Sequence, residues 1–199
     1  KDPPFGKDRI VKPDEVLEKV KPGMTIFLGT GMAEPRTLVK HLMASDRGSV
    51  QDLERVQVVG YGETVAIDVR YKRKYRLKTF YSGWVASDAI TAGRVDLIPS
   101  RFSRIPWLFK SGAVRIDVAV IQITPPDERG HASLGLGVDV ARYAMEQASL
   151  VVAEINPDIP RTIGDTFVHV DDFDLFVEAK EPPIYLPRWP VEDAFDRIA

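Results

Sequence analysis

The sequence predicts an α/β domain, a mostly parallel sheet covered by helices on both faces. Two observations predict it. The apolar segments MTIFL (24–28), RVQVV (55–59), LKTFY (77–81), DVAVIQI (117–123) and LVVAEI (150–155) are mostly continuous runs rather than alternations, as strands buried on both faces are. Segments whose apolar residues recur at helical spacing fall between them, so strand and helix alternate along the chain.

Each element has a local reason. Pro13 stands at a first-turn position for PDEVLEKV, where Val16, Leu17 and Val20 share one helical face, and KPG (21–23) then turns the chain into MTIFL. From Pro35, PRTLVKHLMA places Leu38, Val39, Leu42 and Met43 on one face of a helix. The third strand runs into SGW (82–84) and a helix that ends at TAG, where Gly93 suits a left-handed cap. A short helix follows around Trp107 to Phe109, then the strand 117–123, the turn-rich TPPDERGH, a helix over 139–148 and the strand 150–155. The proline-rich KEPPIYLPRWP (180–190) reads as a linker and VEDAFDRIA as the opening of a further helix. The expected organisation is an α/β domain over 1–179, then over 180–199 a linker and helix start leading to a carboxy-terminal domain beyond this chain.

Composition narrows the function. The chain has 199 residues, 44% of them hydrophobic, enough for one substantial core. Its 27 basic and 29 acidic residues leave a net charge of −2, which gives no global attraction to nucleic acid or an anionic membrane. There is no cysteine, so disulfides, thiolate metal sites and a cysteine nucleophile are excluded. The opening KDPPFGKDRIVKP is not patterned as a signal peptide, and no apolar run approaches the ~20 residues of a membrane span. A cytoplasmic protein is expected.

Candidate chemistry gathers where strands end. In open parallel sheets ligands bind outside the carboxyl ends of the strands, and four exits here carry site-type residues: Gly29, Thr30 and Gly31; Gly60, Tyr61 and Gly62; Ser82 and Gly83; Asn156 and Pro157. Glycines admit an anion to the backbone, and a helix start behind them favours negative charge by ~0.3–1 kcal/mol. A carboxylate, a phosphate or a developing oxyanion fits such exits, although glycines after strands also serve simply to turn the chain. No nucleotide fingerprint, P-loop or nucleophile elbow is complete. Glu34, Glu63 and Glu154 stand at strand exits, where a carboxylate serves as nucleophile or base. Glu34 also has a structural use near a helix start, and Asn156 can cap the turn before Pro157. HVDDFD (169–174) has too little histidine spacing for a metal and reads as a solvated loop. The basic run RYKRKYRLK (70–78) reads as a solvated helix face.

FLGTGMAEPRTLV, SRIPWLF, DVAVIQITPPDERGHASLGLGVD and above all VVAEINPDIPRTIGDTFVHVDDFDLFVE together resemble the amino-terminal half of the acetyl-CoA hydrolase/transferase family, which includes the 4-hydroxybutyrate and butyryl CoA transferases. The resemblance implies two similar α/β halves of the CoA-transferase type, in the fold group shared with NagB and RpiA, with the active site between them. It implies exchange of CoA between an acyl-CoA and a carboxylate through a glutamyl-CoA thioester, with no permanently bound cofactor. The catalytic glutamate and the CoA loops then belong to the carboxy-terminal half, so no catalytic residue and no metal ligand is assigned here. The amino half supplies part of the acyl or carboxylate pocket. Carried onto this sequence, that places Gly29, Thr30, Gly31, Met32, Gly60, Tyr61 and Gly62 beside the substrate, Ser82 as a hydroxyl donor, and Asn156 and Arg161 at the acid or the partner half. Where the family often has small polar residues this chain has SGW, so Trp84 bears on acyl size. The expected partners are an acyl-CoA, a carboxylate, the chain's own carboxy-terminal domain and further copies of itself, with neither nucleic acid nor membrane. Two other readings of the same exits are a sugar-phosphate isomerase or deaminase, which needs a base in this half, and a non-catalytic ligand-sensing or interaction domain using the basic run.

Overall fold

The structure, a computed structural model, describes residues 6–60, 74–82 and 84–185. Tyr61, Gly62, Glu63, Gly83, the basic residues at 70–73 and the helix expected after residue 190 lie outside the described residues.

Seven strands form one sheet: β1 (Thr25–Leu28), β2 (Leu53–Gln57), β3 (Tyr75–Thr79), β4 (Val95–Leu97), β5 (Val118–Ile123), β7 (Leu150–Ile155) and β9 (Leu175–Glu178). Their order is β4-β3-β2-β1-β5-β7-β9, and every neighbouring pair is parallel. A separate antiparallel pair, β6 (His131–Ser133) with β8 (Phe167–His169), flanks it. The helices are α1 (Pro13–Leu17), α2 (Arg36–Ala44), α3 (Trp84–Thr91), α4 (Ile105–Lys110) and α5 (Ala141–Gln147).

The continuous apolar runs are explained by two cores, one on each face of the sheet. Ile26 and Leu28 of β1 join Val16, Leu17, Leu38 and Leu42 under α1 and α2. Phe27, between them in sequence, points the other way and joins Ile105, Phe109, Ala141 and Ala144 under α4 and α5. Its ring meets that of Phe109 edge to face at 5.9 Å. Each central strand therefore has an apolar requirement at every position.

The sequence expectations fail in identifiable places. Strands β4, β6, β8 and β9 have three or four residues each, too short to impress a period on the sequence. The stretch 169–174 is not simply a solvated loop: Val170–Asp172 forms a 3-10 turn and Val170 and Phe173 are buried. The basic run is not a helix face where it is described, because 75–79 is strand β3. Tyr75 and Leu77 turn inward and Arg76 and Lys78 outward, a period of two that six cations mask. The run's three cations among the described residues meet acids on adjoining segments: Lys74 with Asp46 at 2.8 Å, Arg76 with Asp96 at 2.7 Å and Lys78 with Glu54 at 2.7 Å. The first residues of the expected linker pack back on α2, where Lys180 N and Glu181 N donate to Thr37 Oγ1 at 2.8 and 3.2 Å. Among the described residues no helix is long and apolar enough to cross a membrane.

Candidate functional site

The strands β1 to β4 are laid down in one direction across the sheet, and β5, β7 and β9 in the other. The order reverses between β1 and β5, and the carboxyl ends of these two strands frame a crevice of the kind that binds ligands in open α/β sheets. The segment leaving β1 there is Gly29-Thr30-Gly31-Met32, the first expected site loop.

Its glycines are required by the backbone. Gly31 has φ +59°, and a Cβ on Gly29 would collide with the carbonyl of Ala33. The amides of Gly29 and Gly31 are not bare, however. They donate to Val120 O (3.0 Å) and Val59 O (2.8 Å), tying the loop to the ends of β5 and β2. Thr30 Oγ1, in the same loop, is enclosed and has no hydrogen-bond partner among the described residues.

A band of buried polar side chains holds this loop from below. Gln57 on β2 donates from Nε2 both to Gly29 O (2.9 Å) and to Glu34 Oε2 (3.3 Å), gripping the two ends of the loop with one amide. Gln122 on β5 donates to Glu34 O at 3.4 Å and accepts from Asn156 Nδ2, whose own Oδ1 takes the Asp158 amide at 2.9 Å. Arg55 is buried beside Tyr75, its guanidinium 4.7 Å from the ring centre, and burial lowers its pKa to about 10 against the favourable charges of Tyr75 and Glu34. Glu154 on β7 is wholly buried and accepts the Thr37 and Leu38 amides at 3.2 and 2.9 Å. Burial pushes its carboxyl up to about 7; the two amides oppose the shift and the nearby charge of Glu34 adds to it.

The expected site residues thus divide. Gly29, Thr30, Gly31, Met32 and Gly60 lie together at the β1 and β2 exits, and Asn156 joins the same polar band from β7. Ser82 is exposed at the exit of β3. Arg161 is held apart, donating to Asp127 Oδ2 (2.9 Å) and His131 O (3.1 Å) and stacking on Phe167 at the β6–β8 pair. Tyr61 and Gly62 lie outside the described residues. Glu34 and Glu154 do come together, around the start of α2, a meeting that spacing alone does not reveal. Among the described residues no three His, Asp or Glu groups are arranged to hold a metal ion. Sequence reasoning missed Arg55, Gln57 and Gln122. Their signal was present: a polar residue inside a run that is otherwise apolar on both sides must find a partner within the protein.

The chain matches the family described as Acetyl-CoA hydrolase/transferase N-terminal domain over residues 6–186. It is 34% identical over 180 residues to a 4-hydroxybutyrate coenzyme A transferase of Clostridium kluyveri, an alignment covering 90% of this chain and 42% of that protein. Among solved structures it superposes on RipA from Yersinia pestis with a TM-score of 0.82 at 22% identity, over 96% of this chain and 46% of that one. A 4-hydroxybutyrate CoA-transferase from Porphyromonas gingivalis gives 0.69 at 24% identity, over 90% and 41%. The chain therefore spans less than half the length of each of these relatives. A family match along nearly its whole length, on a parallel sheet of the same architecture, makes this chain a member of the acetyl-CoA hydrolase/transferase family, as its amino-terminal domain.

Proposed function

We propose that the chain is the amino-terminal half of an acyl-CoA:carboxylate CoA transferase and builds the acyl or carboxylate wall of its active site. The reading is carried by one observation: the loop 29–32, with a Thr30 hydroxyl that has no partner among the described residues, stands at the switch point of a domain of this family. Met32 gives the loop an apolar side for the acyl chain, and Ser82 adds a hydroxyl at the β3 exit. Residues 180–199 lead on to a second half that supplies the nucleophilic glutamate and most CoA contacts.

In this scheme the glutamate carboxylate attacks the acyl-CoA carbonyl and expels CoA thiolate, leaving an acyl-glutamyl anhydride. The thiolate then attacks the glutamyl carbonyl, releasing the first acid and forming the glutamyl-CoA thioester. A second carboxylate takes the CoA by the same steps in reverse, whereas water attacking the anhydride gives hydrolysis. Each developing oxyanion needs fixed donors, one being worth ~2.7–4 kcal/mol, and closure of two halves keeps the nucleophile dry. Glu34 and Glu154 do not fit the nucleophile's role, since both are buried below the loop and bound to backbone or amide groups. The same burial counts against Glu154 as the base that an isomerase would require in this half, while Glu63 lies outside the described residues.

The test uses the complete gene product. Incubation with an acyl-CoA followed by borohydride should abolish CoA transfer, because the thioester of the enzyme is reduced to an alcohol. Full activity after that treatment refutes the mechanism. Thr30→Val should raise KM for the carboxylate with little effect on stability, and an unchanged KM removes Thr30 from the pocket.

A further inference from the structure

The start of α2 is the kind of anion seat that the glycine exits led us to expect for a ligand: first-turn amides at the carboxyl edge of a sheet. It is already filled. The Glu154 carboxylate reaches it from β7, a strand separated from β1 by β5, and takes both the Thr37 and the Leu38 amides. A local cap would hold a helix start more simply, and the residue at that place is Pro35, which offers no side-chain acceptor. A carboxylate with no exposure in a sheet is unfavourable unless its oxygens are bonded, and an apolar residue would close the core without that cost. The arrangement makes the position of α2 depend on β7. Loop 29–34 is then fixed at both ends, by Gln57 across its ends and by Glu154 through the helix that follows it.

We propose that Glu154 is a positioning residue that fills the anion seat of α2, holds the 29–34 loop in register with β5 and β7, and thereby leaves a substrate carboxylate to bind on the Thr30 side of the loop. Its kinetic consequence rests on the CoA-transfer reading above; the filled seat does not.

Two measurements test it. In Glu154→Ala the seat is vacated and has room for a small carboxyl group, so formate, entering with a proton because the same burial disfavours its charge, should raise the thermal unfolding midpoint of this variant at mildly acid pH, against a chloride control, and leave the wild type unchanged. A midpoint in Glu154→Ala that does not respond to formate overturns the seat, whatever the protein catalyses. In the complete protein Glu154→Ala should lower kcat/KM for the acceptor carboxylate roughly tenfold to a hundredfold, as loop displacements of about 1 Å do. Formate should restore part of that loss. Should Glu154→Ala not fold with or without formate, the isosteric Glu154→Gln decides: a rise in KM for the carboxylate larger than that for acyl-CoA supports the assignment, and unchanged kinetics overturn it. Absence of CoA transfer in the wild type would refute the function and leave the formate titration to decide the seat.

Discussion

Glu154 also makes a sharp thermodynamic prediction. Its carboxyl is raised from 4.5 to about 7 in the folded protein, chiefly because burial disfavours the charge, with Glu34 adding to the effect and the Thr37 and Leu38 amides opposing it. A folded pKa above the unfolded one means that the protonated form is favoured by folding. The associated stability is fully present below about pH 4.5 and is lost as pH rises through about 7. The shift, about 7 minus 4.5, at 1.36 kcal/mol per pH unit is worth on the order of 3 kcal/mol. Glu154→Gln removes the titration and keeps the size; its amide donor facing the helix amides adds a cost that does not vary with pH. Urea unfolding of both proteins at several values between about pH 4.5 and about pH 8.5 should show the wild type losing on the order of 3 kcal/mol relative to the variant across that range. Parallel profiles would refute the reasoning, since they would mean that Glu154 ionises in the folded protein as readily as in the unfolded one.

Other substitutions probe the frame around the site. Gly29→Ala should destabilise by about 1–3 kcal/mol in urea unfolding, because the added methyl meets the Ala33 carbonyl and cannot rotate away. Phe109→Ala should lower stability by about 3–5 kcal/mol, the side chain being buried between Phe27 and Phe80 in the core under α4. Ser133→Ala should weaken the protein by about 1–3 kcal/mol, since the wholly buried hydroxyl accepts from the Gly135 and Thr162 amides at 3.0 and 3.2 Å and both donors lose their partner. Arg161→Ala should change stability by no more than about 1 kcal/mol, its pair with Asp127 being half exposed.

The fold class was legible because both of its causes are local. A strand covered on both faces needs an apolar side chain at every position, as Ile26, Phe27 and Leu28 show, and a helix with one buried face needs the spacing of Leu38, Val39 and Leu42. The short strands β4 and β9 were not legible, nor was the start of β3 at Tyr75 and Arg76, which lies inside the basic run ahead of the strand expected over 77–81. Their pairing depends on partners distant in sequence, such as Lys78 with Glu54 or Val152 with Leu175. The loop at Gly29 to Met32 could be named from glycine chemistry and from the family resemblance. What lies beneath it could not.

The sequence by itself determined the layered α/β architecture, the absence of cysteine chemistry within these 199 residues and the family, since each follows from residue types or motifs that act within a few positions of one another. The tertiary structure alone decided that β1 and β5 meet at the switch point, that Gln57 grips both ends of one loop, and that the anion seat of α2 belongs to Glu154. These are contacts between residues 23 to 117 positions apart, formed only when a particular strand order brings buried polar groups together inside the protein, where water is not there to satisfy them.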